Sequence, residues 1–249
     1  MASVGGTEQA EQHAPISAIE AALLTLAAFF FTSSLTRHLW MKATAPALAW
    51  WFLANLAPPL LMLAGAVLII KHFPGLLPGR GATPRVIMMS LGGVLLGVAG
   101  GMAVGATHAR YLAAPLNPRY QLLWAIAWVG VLAPVIEEVY FRGVLQGALL
   151  ERLGRPSAVL LAAAAFALAH QGIPSLATSF VLGLGFGMLA ASARSLVPAI
   201  SAHIAWNLGT VWLATIGVSR VVARDLAVVG IVCLLTALVA FRAHREDDP

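Results

Sequence analysis

Charge is what this chain most lacks. Only 10% of its 249 residues are Asp, Glu, Lys or Arg, while 60% are hydrophobic, against roughly 25% charged in a soluble globular domain. So few ionic groups could not cover a water-facing surface, and a soluble globule is excluded. Cysteine is nearly absent too. Cys233 is single and lies in the last apolar run, which excludes an intramolecular disulfide framework. The first 15 residues hold no Lys or Arg, so the positive start of a cleaved signal peptide is missing. The first long apolar run is therefore read as a retained transmembrane helix.

What the chain does have is apolar length. Mean hydropathy is +0.87, and runs reach the roughly 20 residues that cross a hydrocarbon core of about 30 Å. Spans are expected at about 17–36, 47–70, 86–107, 121–150, 157–171, 174–193, 196–216 and 225–242. This predicts an all-α polytopic membrane protein with about eight transmembrane helices. The polar tails 1–16 and 243–249 flank one transmembrane domain, 17–242, whose motif-bearing core is 121–216.

Proline and glycine mark local features. Pro58-Pro59 predicts a kink in the second span, because proline removes a backbone donor. The fourth span, about 30 residues long, has to tilt or bend, with Pro134 as the bend. Gly93, Gly97, Gly101 and Gly105 share one helical face and predict close helix packing, as do Gly183 and Gly187.

The net charge of +5 sits mainly in short loops, which suits phospholipid headgroups and not nucleic acid. No basic stripe interleaved with aromatics is present, so nucleic acid is excluded as a partner. With eight spans, Lys71, Arg80, Arg85, Arg152, Arg155, Arg194, Arg242 and Arg245 fall on the side of both termini. Arg37, Lys42, Arg110, Arg119, Arg220 and Arg224 fall opposite. The small excess points to cytoplasmic termini.

Ionisable groups at membrane depth locate the chemistry. Of ten acids, Glu8, Glu11, Glu20, Glu151, Asp225, Glu246, Asp247 and Asp248 lie in tails, loops or at a span edge, and only Glu137 and Glu138 lie deep in an apolar run. Such a charge costs at least about 2.5–3.5 kcal/mol on insertion scales. Glu138 and Arg142 are four residues apart and can pair on one face. Glu137 is turned about 100° away and stays available as a general base or acid. His170 closes the fifth span, four residues after Phe166, while His203 and Asn207 share a face of the seventh.

Glu137-Glu138-Val-Tyr-Phe-Arg142 matches EExxxR, Phe166 to His170 matches FxxxH, and His203 to Asn207 matches HxxxN. In this order the three patterns resemble the CAAX protease and bacteriocin-processing (Abi) family, which includes Ras-converting-enzyme-type prenyl-protein endopeptidases. The resemblance implies an intramembrane endopeptidase. Glu137 and His170 would activate the attacking water, and His203 and Asn207 would stabilise the oxyanion. Glu138 and Arg142 would support the site by pairing or substrate contact. It implies a membrane-associated protein or peptide substrate. The family has been described both as metalloprotease and as metal-independent; no cofactor is the first expectation here and zinc the alternative. The Ala-rich, compact sequence looks bacterial, which places the protein in the inner membrane.

Two readings of other classes remain at this level. Intramembrane Glu, His and Arg also build proton relays in transporters, and the same fold can serve as a non-catalytic scaffold or immunity factor. Serine and aspartyl intramembrane proteases are disfavoured, because neither GxSG nor GxGD occurs.

Overall fold

The computed structural model describes residues 16–42, 47–77, 79, 83–104, 117–170, 173–216, 224–225 and 227–236. The tails up to residue 15 and beyond 242, Gly105, and loop arginines 80, 110, 220, 242 and 245 lie outside the described residues. Among those described, every regular element is helical and no strand occurs. They are α1 (Ala18–Lys42), α2 (Ala47–His72), a 3-10 turn (Pro74–Leu76) and α3 (Pro84–Val104). A long helix α4 follows from Pro118 to Leu150, then α5 (Arg155–Ala169), α6 (Ile173–Ala193), α7 (Val197–Ile216) and α8 (Ala227–Thr236).

Helix starts follow local chemistry. Ser17 and Glu20 form a reciprocal capping box, with Ser17 N–H donating to Glu20 Oε2 at 2.8 Å. Asn117 Oδ1 accepts from Arg119 N–H at 3.1 Å ahead of α4, whose first residue Pro118 needs no donor there. α2 runs through Pro58 and Pro59 as one helix.

Among the described residues, five helices are long and apolar enough to cross a membrane: Ala18–Lys42, Leu48–His72, Pro84–Gly101, Arg119–Leu150 and Leu176–Ala193. Arg155–Ala169 and Ala227–Thr236 are shorter apolar helices. Their outward faces carry Leu24, Phe31, Leu68, Ile87, Leu123, Leu161, Val181 and Met188, all exposed. A soluble monomer rarely exposes apolar area on this scale, whereas lipid accepts it. The chain is an integral membrane protein.

Lipid tails are as apolar as leucine, so burial alone does not hold such helices together and close contact must. One seam joins α3 to α7, where Gly93, Gly97 and Gly101 lie against Ala202, Ala205 and Trp206. A Cβ at Gly97 would collide with the Ala202 carbonyl. The glycine face expected from sequence is thus a helix seam. A second core gathers Ala18, Ala22, Met62, Ala66, Tyr140, Phe141, Val144, Ala158, Ala162 and Phe166 from α1, α2, α4 and α5. Within it Tyr140 Oη donates to the Ala22 carbonyl at 2.6 Å, pinning α4 to α1.

α4 is not a uniform α-helix. Its α-helical pieces Pro118–Trp124, Ala133–Glu138 and Gln146–Leu150 are joined by π-helical stretches Ala125–Leu132 and Val139–Leu145. In the first stretch Ala133 N–H reaches back five residues to Trp128 O. The next such bond, from position 134 to Val129, cannot form because Pro134 has no N–H. The feature at Pro134 is therefore a widened turn, of a kind often found at functional sites.

Candidate active site

α4 carries two adjacent carboxylates into different surroundings. Glu138 is fully buried and forms an ion pair with Arg142, Oε1 to Nη1 3.1 Å. Arg142 is also enclosed. Its Nη2 donates to the Gly183 carbonyl at 3.2 Å, and its Cζ lies 4.3 Å from the Phe166 ring centroid. Phe186 and Phe141 flank it at 5.6 and 5.8 Å. A buried guanidinium requires such compensation, from an opposite charge, a carbonyl and aromatic faces. Compensation is incomplete: Glu138 Oε2 and Arg142 Nε have no hydrogen-bond partner among the described residues, and the 3.1 Å ion pair is not aligned as a hydrogen bond.

Glu138 also fixes a histidine. His203 Nδ1 lies 2.8 Å from Glu138 Oε1. The carboxylate facing Arg142 accepts only, so Nδ1 carries the hydrogen, and neutral His203 presents a bare Nε2. The His203 ring stacks on Phe186 with centroids 4.8 Å apart. His170 is arranged the same way by a different group. Its Nδ1 lies 2.8 Å from the Phe166 carbonyl, which can only accept, so its Nε2 is bare in the neutral form.

Both Nε2 atoms face Glu137. Glu137 Oε2 lies 3.6 Å from His170 Nε2 and 3.8 Å from His203 Nε2. These separations exceed a hydrogen bond and suit a shared water. Glu137 and His170 are 21% and 26% exposed, while His203 is 4% exposed, so the cluster opens on the His170 side.

Asn207 stands one turn beyond His203 on α7. Its Nδ2 donates to the Val129 carbonyl at 2.7 Å, the acceptor that Pro134 leaves without a helical partner. One amide hydrogen is thereby used in holding α7 to α4.

The structure therefore brings together Glu137, Glu138, Arg142, His170 and His203, with Asn207 tied to the same helix two turns before Glu137. Sequence reading missed Gln146, Phe186, Val129 and the carbonyls of Gly183 and Gly187 as contributors. Gln146, buried four residues after Arg142, donates from Nε2 to the Gly187 carbonyl at 3.1 Å. Gly183 and Gly187 thus offer carbonyls to α4 as well as room for close packing. Phe186 covers His203, and Val129 receives Asn207. Only Gln146 carried a signal, a lone amide in an apolar run in step with Arg142. Among the described residues, no group of three or more His, Cys, Asp or Glu is arranged to hold a metal ion.

Residues 119–209 match a family described as Rce1-like, type II CAAX prenyl endopeptidase Rce1-like. The match covers somewhat over a third of the chain, contains all six residues above, and bears out the resemblance carried by the three motifs. No curated protein matches the chain.

Proposed function

We propose that this chain, Rce1-like over residues 119–209, is an intramembrane endopeptidase that hydrolyses a peptide bond of a membrane-associated protein or peptide. The observation that carries this reading is the convergence of His170 Nε2 and His203 Nε2 on Glu137 Oε2 at 3.6 and 3.8 Å. The half-open cluster admits water and a peptide carbonyl from one side.

In this reading Glu137, with His170, takes a proton from water as its oxygen bonds to the scissile carbonyl carbon. The carbonyl electron pair moves onto oxygen, and His203 with Asn207 stabilise that oxyanion. Collapse breaks the C–N bond, the proton passes to the leaving nitrogen, and a new carboxyl and amine separate. Asn207 has a second amide hydrogen for this task. Donation from His203 requires a proton on Nε2, which makes it the imidazolium, flanked by Glu137 and Glu138. Glu138 and Arg142 hold His203 and act through it, as outer partners of a catalytic imidazole do.

Water activation by these side chains alone is the preferred form, with zinc as the alternative. The substrate class we favour is a bacterial one, a peptide leader or a hydrophobic C-terminal tail cut at the inner membrane. About eight spans is the topology that accommodates α5, α7 and α8 with the five longer helices.

The test compares protein termini in membranes of cells making wild type or Glu137→Gln at equal abundance. Specific new termini are expected with the wild type alone. Identical profiles together with a phenotype that still depends on Glu137 would move the protein to transport or partner binding.

A further inference from the structure

At the end of the molecule remote from Asn117, three helix ends place arginines around one cavity of about 230 Å³. Its lining is Arg85, Arg155, Ala191, Ser192, Ala193 and Arg194, with no acidic side chain. Arg85 comes from the first turn of α3, Arg155 opens α5, and Ser192 and Arg194 close α6. Arg155 Nη2 donates to Ser192 Oγ at 2.8 Å, which fixes one guanidinium and leaves its remaining donors for another acceptor. An anion held there would meet positive charge from three helices. Arg85 is half-buried, whereas Arg155 and Arg194 are exposed.

Backbone geometry adds a second observation. Arg194 has φ of 50°, and no other non-glycine among the described residues has a positive φ. Ser195 N–H bonds to the Ala190 carbonyl at 3.3 Å, so Arg194 stands at the left-handed position of a Schellman-type helix end, which glycine normally takes. A glycine would relieve that conformation, yet it would remove a guanidinium from the cavity. Arg194 also lines a neighbouring cavity of about 410 Å³ that reaches Gln146 and Arg142, so the site borders the supports of Glu138.

We propose that this cavity binds a phosphate group, as the headgroup phosphate of an anionic lipid or as a soluble phosphate. Guanidinium forks match phosphate oxygens bidentately, and the Ser192 hydroxyl adds a neutral donor. All three arginines belong to the side that carries the excess of basic loop residues, where anionic lipid is attracted. The inference stands apart from the peptidase reading, and its test reads binding alone.

The purified full chain is titrated by native mass spectrometry with a phosphatidylglycerol, and in parallel with inorganic phosphate in zwitterionic lipid. Saturable binding of one phosphatidylglycerol is expected. Arg155→Gln and Arg194→Gly should each weaken it on the order of fivefold. Arg224→Gln, which removes an exposed arginine paired with Asp225, should leave it unchanged. Arg194→Gly should also melt no lower than wild type, which separates ligand loss from damage to the helix end. Saturation by inorganic phosphate alone, with the same variant pattern, would identify the soluble source. Absence of saturable binding of either probe, or Arg155→Gln and Arg194→Gly binding as wild type, overturns the proposal.

Discussion

Asn207 and Pro134 are coupled through a carbonyl that belongs to neither. Pro134 cannot donate to Val129, and Asn207 Nδ2 donates to that oxygen at 2.7 Å. An unpaired carbonyl at membrane depth costs several kcal/mol, so a helix interruption in α4 is made tolerable by a side chain of α7. The same bond fixes the register of α7 one turn from His203.

Asn207→Ala is expected to destabilise the protein by about 1–3 kcal/mol, the usual penalty of an orphaned buried acceptor. In a Pro134→Ala background, which restores a backbone donor, the penalty should fall below about 1 kcal/mol. Equal penalties in both backgrounds, measured by unfolding in mixed micelles, would show that Asn207 does not serve this carbonyl.

Arg142→Ala should be the most damaging of the site substitutions to folding, because it strands Glu138 in a fully buried position. Breaking a buried pair from one side costs about 3–5 kcal/mol. Arg142→Ala combined with Glu138→Gln should recover part of that loss, read as folded yield and melting midpoint. No recovery would place the cost in the aromatic packing around the guanidinium.

Glycines on the helix faces differ sharply in what surrounds them. Gly97→Ala meets the backbone of Ala202 and Trp206, which cannot give way, whereas nothing among the described residues lies within 4 Å of a Cβ at Gly185. Gly97→Ala is expected to lower the melting midpoint. Gly185→Ala should raise stability by roughly 0.5–1 kcal/mol through helix entropy.

Treatment with a zinc chelator is expected to leave cleavage unchanged if side chains alone activate the water. Loss of cleavage restored by one equivalent of zinc would instead show that the reaction depends on a bound zinc. The readout is product formation per hour in chelated and reconstituted samples.

The helical membrane class and the residues that converge were legible because lipid makes ionisable groups conspicuous. Glu137, Glu138 and Arg142 stand out in an apolar run, and spacings of four put His203 with Asn207 on one face. Their partners were not legible. The acceptors at Phe166, Val129, Gly183 and Gly187 are backbone carbonyls, which every residue has and no sequence marks. Gln146 was legible in principle, since it continues the line of Glu138 and Arg142 by four. The π-helical stretches could not be read either, because residue identity sets a broken bond at Pro134 but not the register in which the chain recovers.

The glycine seam between α3 and α7, with the His203–Glu138 and Asn207–Val129 bonds, makes α3, α7 and the middle of α4 one unyielding wall. Parting that wall would break the contacts that hold the His203 imidazole. The side of the cluster left accessible is that of His170, at the end of α5, whose side chain is a quarter exposed. Selectivity would then be decided at a threshold, by what can thread past one aromatic-backed ring, before any bond is strained.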